Sequence, residues 1–272
     1  MRITMAQRAP VLGDKEANLR AMEKDILAAG KKGSDLVMFG ELHLTGYRIK
    51  DRVARLAEPR DGPSIKRMAK AARKAGCHVL FGMPEKDGRV RGIIYNSAVL
   101  VGPGSEVEVY RKWFLPNFGP FEEKIHYTPG KGVKVFDTDV GRIGVFICYD
   151  IFFPELAKAY ALMGAELLAV LSAAPSSSRF FFEHLAQARA IENAIPLAYC
   201  NRVGVEEGLK FFGGSVLVGA RGGILAKAKV YEEEAVTADV DLAEADFARF
   251  HRPTVRDTRR ELFQIIEREL GP

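Results

Sequence analysis

Apolar and polar positions along the chain follow two alternating rhythms. Short runs at 2–7, 34–40, 78–83, 93–101, 106–111, 142–148 and 167–171 predict strands, mixed in polarity at 2–7 and 106–111 and of the apolar, buried type at 34–40 and 142–148. Between several of them apolar residues recur every three or four positions. Leu19, Met22, Ile26 and Leu27 mark one face of a helix over 15–29, and a second helix over 63–75 starts on Pro63 and closes at Gly76. The turn Gly102-Pro103-Gly104 joins two of the strands, and a further strand at 133–136 precedes a turn near 139–141. Helices are expected at 154–163 and at 179–194, the latter stopped by Pro196, followed by strands at 197–201, 215–218, 224–228 and 235–239. A basic amphipathic helix over 255–270, with Leu262, Ile265, Ile266 and Leu270 on one face, would cap its own core or reach a neighbouring molecule. Strands mixed with helices throughout predict an α/β or α+β layered fold. No proline-, glycine- or serine-rich linker interrupts it, so one domain spanning 1–272 is expected.

Composition narrows the classes. Of 272 residues, 47% are hydrophobic and 28% charged, which suits a soluble chain with a sizeable core. The net charge of +5 comes from short basic clusters interleaved with acids, a pattern of solvated helix faces that argues against a nucleic-acid partner. The longest greasy tract, 161–174, is too short to cross a bilayer, and no long apolar leader opens the sequence. Cys77, Cys148 and Cys200 are odd in number and form no CxxC pair, which fits a reducing, cytoplasmic compartment. The five histidines show no zinc spacing, so no metal is expected, and no phosphate-cradling loop or GxSxG elbow is present.

Candidate chemistry sits at strand ends. Cys148 closes Gly144-Val145-Phe146-Ile147, and Pro154 is placed to start a helix after the intervening turn. A thiol between a buried strand and a helix start is expected to be activated, because oriented backbone N–H groups favour the thiolate. Glu41 closes the run Val37-Met38-Phe39-Gly40, and Lys112 follows Val107-Glu108-Val109-Tyr110-Arg111. Charges beside buried strands are costly unless they have a use. Should these strand ends converge, they bring together a general base, a cation for an oxyanion and a nucleophile.

The same residues resemble the ordered signatures of the nitrilase superfamily, the carbon–nitrogen hydrolases. The matching stretches are Phe39-Gly40-Glu41-Leu42 to Gly46-Tyr47, Tyr110-Arg111-Lys112 to Leu115-Pro116, and Cys148-Tyr149-Asp150 to Phe153-Pro154-Glu155. A fourth runs from Arg189-Ala190-Ile191-Glu192-Asn193 to Pro196, followed by Asn201-Arg202-Val203-Gly204. The resemblance implies a four-layer α-β-β-α sandwich, with Glu41 as base, Lys112 as oxyanion stabiliser and Cys148 as nucleophile. It implies a second, orienting glutamate, best placed at Glu123 with Glu122 as the alternative, ahead of the turn Tyr127-Thr128-Pro129-Gly130. It also implies no cofactor, and dimers or larger homo-oligomers formed through the helices after Cys148 and around 179–194. Tyr149, through its amide, and Phe152, Tyr47, Ser172 and Ala173 are expected to line the oxyanion and substrate space.

The implied substrate is a small amide. Many relatives with acidic substrates carry an arginine just after the Cys-x-Asp segment, but here Ile151 and Phe152 occupy those positions, pointing to a neutral or partly apolar substrate. A different resemblance pulls towards glutamine. Leu115-Pro116-Asn117-Phe118-Gly119 to Phe121-Glu122-Glu123-Lys124, Ser172-Ala173-Ala174-Pro175 and Phe212-Gly213-Gly214-Ser215 look like the glutaminase portion of glutamine-dependent NAD synthetase, without the ATP-using half. The alternatives to an amidase are therefore a free-standing glutaminase feeding a separate synthetase, a nitrile hydrolase, or a catalytically idle interaction module.

Overall fold

The computed structural model describes residues 1–271 as two six-stranded sheets packed face to face, each covered by helices on its outer side. The strands are β1 (Arg2–Gln7), β2 (Leu36–Met38), β3 (His78–Lys86), β4 (Ile94–Val101), β5 (Val107–Arg111), β6 (Phe136–Thr138), β7 (Gly141–Ile147), β8 (Leu167–Ser172) and β9 (Leu197–Asn201). They continue with β10 (Val203–Glu206), β11 (Leu209–Phe212), β12 (Val216–Val218), β13 (Ile224–Lys227) and β14 (Glu234–Asp239). The first sheet has the order β14-β1-β2-β3-β4-β5 and the second β13-β12-β9-β8-β7-β6. The helices are α1 (Lys15–Lys31), α2 (Val53–Leu56), α3 (Pro63–Ala75), α4 (Glu123–His126), α5 (Pro154–Leu162), α6 (Arg179–Asn193), α7 (Glu244–His251) and α8 (Arg260–Leu270).

The layers follow from which faces are apolar. Asp14 caps α1 by accepting from the Ala17 amide, and Leu19, Met22 and Ile26 of that helix pack with Ile65, Met68 and Ala72 of α3 against the first sheet. Gly76 ends α3 in the left-handed conformation at φ +69°, which only glycine adopts without strain. On the other side α6 lies on β9 and β12, and Phe182, Ala186 and Ala190 join the core. Parallel pairing of β7, β8 and β9 explains why their sequences are apolar on both faces: one face meets helices, the other meets the opposite sheet. No helix among the described residues is long and apolar enough to cross a membrane.

Three expectations are corrected. The strand expected at 133–136 instead occupies Phe136–Thr138, where Phe136 to Thr138 pair antiparallel with Ile143 to Gly141. The final helix starts at Arg260 rather than 255, because the chain after Pro253 is held in turns and Arg259 is extended at φ −104°, ψ 125°. It buries none of its residues, so it does not cap the core of this chain. The hairpin β10–β11 went unpredicted; its turn uses Glu207 and Gly208, both with positive φ, in place of the commoner Asn-Gly.

Candidate active site

The ends of both sheets meet at one buried charged cluster. Glu41 lies two residues beyond Phe39, whose amide still bonds to Leu80 of β3, and the Glu41 amide bonds to the Ser172 carbonyl at the end of β8, 3.2 Å away. Gly82 makes this approach feasible: a Cβ there would lie 2.3 Å from the Leu42 nitrogen and 2.8 Å from the Glu41 carbonyl carbon. Leu42, with φ +47°, turns the chain away immediately afterwards.

Lys112 follows β5 and is held by its backbone, its amide bonding to the Asn96 carbonyl at 2.9 Å and its carbonyl accepting from Gly130 at 2.7 Å. Its ammonium, fully enclosed, donates to Glu41 Oε1 and to Glu123 Oε1, both at 2.7 Å. Two further donors fix Glu41: Asn96 Nδ2 donates to Oε1 at 2.7 Å and the Ala173 amide to Oε2 at 3.0 Å, which leaves Oε2 room for one more proton or donor. Glu123 opens the short helix α4 and also accepts from the Tyr47 hydroxyl at 2.7 Å. Glu122, its neighbour, is exposed and contributes nothing to the cluster. Two carboxylates therefore share one ammonium. Burial lowers the Lys112 pKa, but Glu123 and Glu41 together outweigh it and hold the ammonium charged. Burial pushes Glu123 up, against the pull of Lys112 and with help from the Glu41 charge.

Cys148 follows β7 with φ +48°, an uncommon conformation for a residue with a side chain, and opens a 3-10 turn over Cys148–Phe152. Asp150 locks that turn. Its Oδ2 accepts from the Ile147 amide at 3.0 Å and the Tyr110 hydroxyl at 2.8 Å, and its Oδ1 from the Phe114 amide at 2.9 Å, joining the Lys112 segment to the Cys148 turn. Burial raises the Asp150 pKa to about 6, opposed by Lys112 and by those amides. From α6, Arg189 donates to the Ile151 carbonyl at 2.8 Å and the Phe152 carbonyl at 3.3 Å.

The sequence reading and the geometry part company over the thiol. Cys148 is 5% exposed, and burial, then the negative charge of Glu41, push its pKa up, against Lys112. Desolvation disfavours the thiolate, so a base beside the sulfur matters more than the turn amides alone. Glu41, Lys112, Glu123 and Cys148 do come together. The Tyr47 hydroxyl donates to Glu123 and the Ala173 amide to Glu41, so both residues border the cluster. Ser172 sits at the end of β8 between Glu41 and Arg202, both of whose amides bond to its carbonyl. Tyr149 and Phe152 belong to an aromatic group, the Tyr149 ring lying 5.4 Å from both Phe118 and Phe152 and 5.3 Å from Phe153.

Several contributors escaped the sequence reading. Asn96 is a polar residue inside an apolar strand, the one local hint it gives. Glu206 of the unforeseen hairpin accepts the Tyr47 and Arg48 amides, both at 2.9 Å, and pairs with buried Arg202, whose guanidinium lies 4.3 Å from the centre of the Phe211 ring. That clamp fixes the loop from which Tyr47 reaches Glu123. A surface cavity of about 730 Å3 beside Ile65, Lys70 and Val107 is lined by none of the cluster residues. The chemistry sits instead in a tight, enclosed space.

Comparisons agree with this geometry. The family model described as carbon–nitrogen hydrolase matches residues 2–250. A probable nitrilase of Schizosaccharomyces pombe is 34% identical over 99% of this chain and 98% of its own length. The glutamine-dependent NAD(+) synthetase of Thermotoga maritima is 36% identical over 90% of this chain, which spans only 42% of that longer protein. Among solved structures, an amidase from Nesterenkonia sp. AN1, captured after Michael addition of acrylamide at its active-site cysteine, superimposes with a TM-score of 0.84 at 29% identity, covering 97% of this chain and 98% of the other. Two helix-covered sheets meeting at a buried acid–amine–thiol cluster, together with a family match along nearly the whole sequence, make this chain a member of the carbon–nitrogen hydrolase family.

Proposed function

We propose that the protein hydrolyses a small neutral or partly apolar amide to a carboxylic acid and ammonia through a thioester on Cys148. The observation that carries this reading is the enclosed Glu41–Lys112–Glu123 ion cluster beside that thiol. A thiol held protonated by burial needs a base in contact when it attacks, and Glu41 is the candidate. Its carboxylate takes the sulfur proton as sulfur bonds to the carbonyl carbon. Lys112, kept charged by two carboxylates, and the Tyr149 amide receive the oxygen that becomes negative. As the C–N bond breaks, protonated Glu41 returns the proton to the departing ammonia. Water, losing a proton to Glu41, then cleaves the thioester, and Glu41 returns that proton to the departing sulfur. Glu123 orients the ammonium and carries part of its counter-charge.

The aromatic group around Tyr149, Phe152 and Phe118 supports an apolar or uncharged acyl part, as does the absence of an arginine at Ile151 and Phe152. We place the enzyme in the cytoplasm as a homo-oligomer; three buried free cysteines support a reducing compartment. A second reading, a glutaminase subunit that hands ammonia to a separate synthetase, rests on the similarity to the NAD(+) synthetase. One screen separates these. Ammonia release is measured over short aliphatic amides, glutamine, carbamoyl amines and nitriles, with Cys148→Ala as blank. Turnover of aliphatic amides supports the first reading, and glutamine turnover that rises with an added ATP-binding partner supports the second. Full amide turnover by Cys148→Ala would overturn both.

A further inference from the structure

Two hydroxyls beside Cys148 lack partners. Ser172 is completely enclosed and Tyr199 is 1% exposed, yet neither Ser172 Oγ nor the Tyr199 oxygen has a hydrogen-bond partner among the described residues. Buried hydroxyls left in this way are costly, and two adjacent ones call for a reason.

Strand register puts both on the thiol's flank. In the parallel pair β7–β8, Ile147 lies opposite Leu171, so the next step along brings Cys148 beside Ser172. In β8–β9, Tyr199 lies opposite Val170, two residues before Ser172 and therefore on the same face of the sheet. Thiol, serine hydroxyl and phenol thus follow one another across three strands. Burial drives both the thiol and the phenol upward, and the Ser172 hydroxyl works against that rise in each. The charged groups facing the sulfur are Glu41 and Glu123, both bonded to Lys112, and Lys112 itself, while the second sheet contributes the titratable groups Tyr199 and, beyond it, Cys200. The two hydroxyls are the unspent donors at this sulfur.

We propose that Tyr199 and Ser172 form a donor chain that closes on the Cys148 sulfur as it ionises: the Tyr199 O–H donates to Ser172 Oγ, and the Ser172 O–H donates to Sγ. One proton leaves sulfur for the Glu41 carboxylate, and both hydroxyls keep theirs, changing only direction. The thiolate gains a charge-assisted hydrogen bond that the neutral thiol lacks, so the chain favours the ionised state over the resting one. Ser172 thereby acts as a catalytic residue and Tyr199 as a positioning residue. This rests on Cys148 being the nucleophile.

The test is the pH profile of Cys148 alkylation by iodoacetamide, the labelled cysteine identified by mass spectrometry, in the wild type and in Ser172→Ala, Ser172→Thr and Tyr199→Phe. Between pH 7 and 9 the alkylation rate is expected to fall about tenfold in Ser172→Ala and by less in Tyr199→Phe. Ser172→Thr keeps the hydroxyl and should stay near the wild-type profile. In amide turnover, kcat should fall about tenfold in Ser172→Ala, with little change in KM. An unchanged alkylation rate in Ser172→Ala, or a rise in KM alone, would show that this hydroxyl serves substrate or packing and would overturn the proposal. A wild-type profile in Tyr199→Phe alone would remove the phenol from it. Because alkylation needs no amide turnover, this proposal fails separately from the amidase reading, which fails when the wild type releases no ammonia from any amide.

Discussion

Cys148 and Cys200 are both buried thiols of the second sheet and its end, and burial pushes both upward. Cys200 lies within β9 on flat strand backbone and donates to the Met38 carbonyl at 3.3 Å. Cys148 lies just past a strand end at positive φ, with a carboxylate, an ammonium and two unpaired hydroxyls around it. Burial acts on both alike, so resting acidity does not set them apart; under the proposed mechanism the difference is a base beside Cys148 that can take the proton at the moment of attack.

The sharpest break of this comparison is to remove each sulfur in turn. Cys148→Ala should lower amide turnover by on the order of a thousandfold or more. Cys200→Ala should keep most turnover and lose about 1 kcal/mol of stability from the small void, read from urea unfolding. Equal losses of activity would erase the distinction. Next in size is the base. Glu41→Gln keeps the side-chain shape and leaves Glu123 to balance Lys112, so circular dichroism should be unchanged while turnover drops about 100- to 10,000-fold.

The base can also be moved without altering it. Gly82→Ala would press a methyl group 2.3 Å from the Leu42 nitrogen, against Glu41. It should cost about 1–3 kcal/mol and reduce kcat, whereas Gly88→Ala, where a Cβ meets nothing within 4 Å, should change neither. The effect furthest from turnover concerns acid and the surroundings of Cys200, where Arg8 acts on both Cys200 and His43. Burial, then Arg202 and Arg8, lower the His43 pKa to about 3 from 6.5. The unfolded chain therefore binds the extra proton first, and stability falls as pH drops from 6.5 towards 3. By pH 5 the loss from this group is about 2 kcal/mol. His43→Phe should flatten that part of the urea-midpoint profile between pH 7 and 5; an unchanged slope would mean that His43 is not the group responsible.

Much of this was legible in the residues. Glu41, Lys112 and Cys148 announce themselves because each charge or thiol interrupts the end of an apolar run, where burial makes polarity expensive. The α3 boundaries were readable from Pro63 and Gly76, whose local chemistry is sufficient by itself. Asn96 was not, because an amide inside a strand gains meaning only from Glu41 and Glu123, 55 and 27 residues away. Tyr199 was hidden for the same reason: its neighbours in sequence are core residues, and the sulfur it approaches belongs to another strand. The β10–β11 hairpin escaped because Glu207-Gly208 is a weaker turn signal than Asn-Gly, and its task, holding Tyr47 through Glu206, spans the molecule. The thiol's surroundings were only half legible, because sequence displays the turn but not the depth of burial.

The bond from the Glu41 amide to Ser172, and that from the Ala173 amide back to the Glu41 carboxylate, stitch one layer to the other across the central seam. A shear of the layers by an ångström or two, too small to melt either, would already carry the base away from the sulfur. Loss of turnover on heating should accordingly precede loss of secondary structure, which makes the reaction itself a gauge of slippage between the two halves.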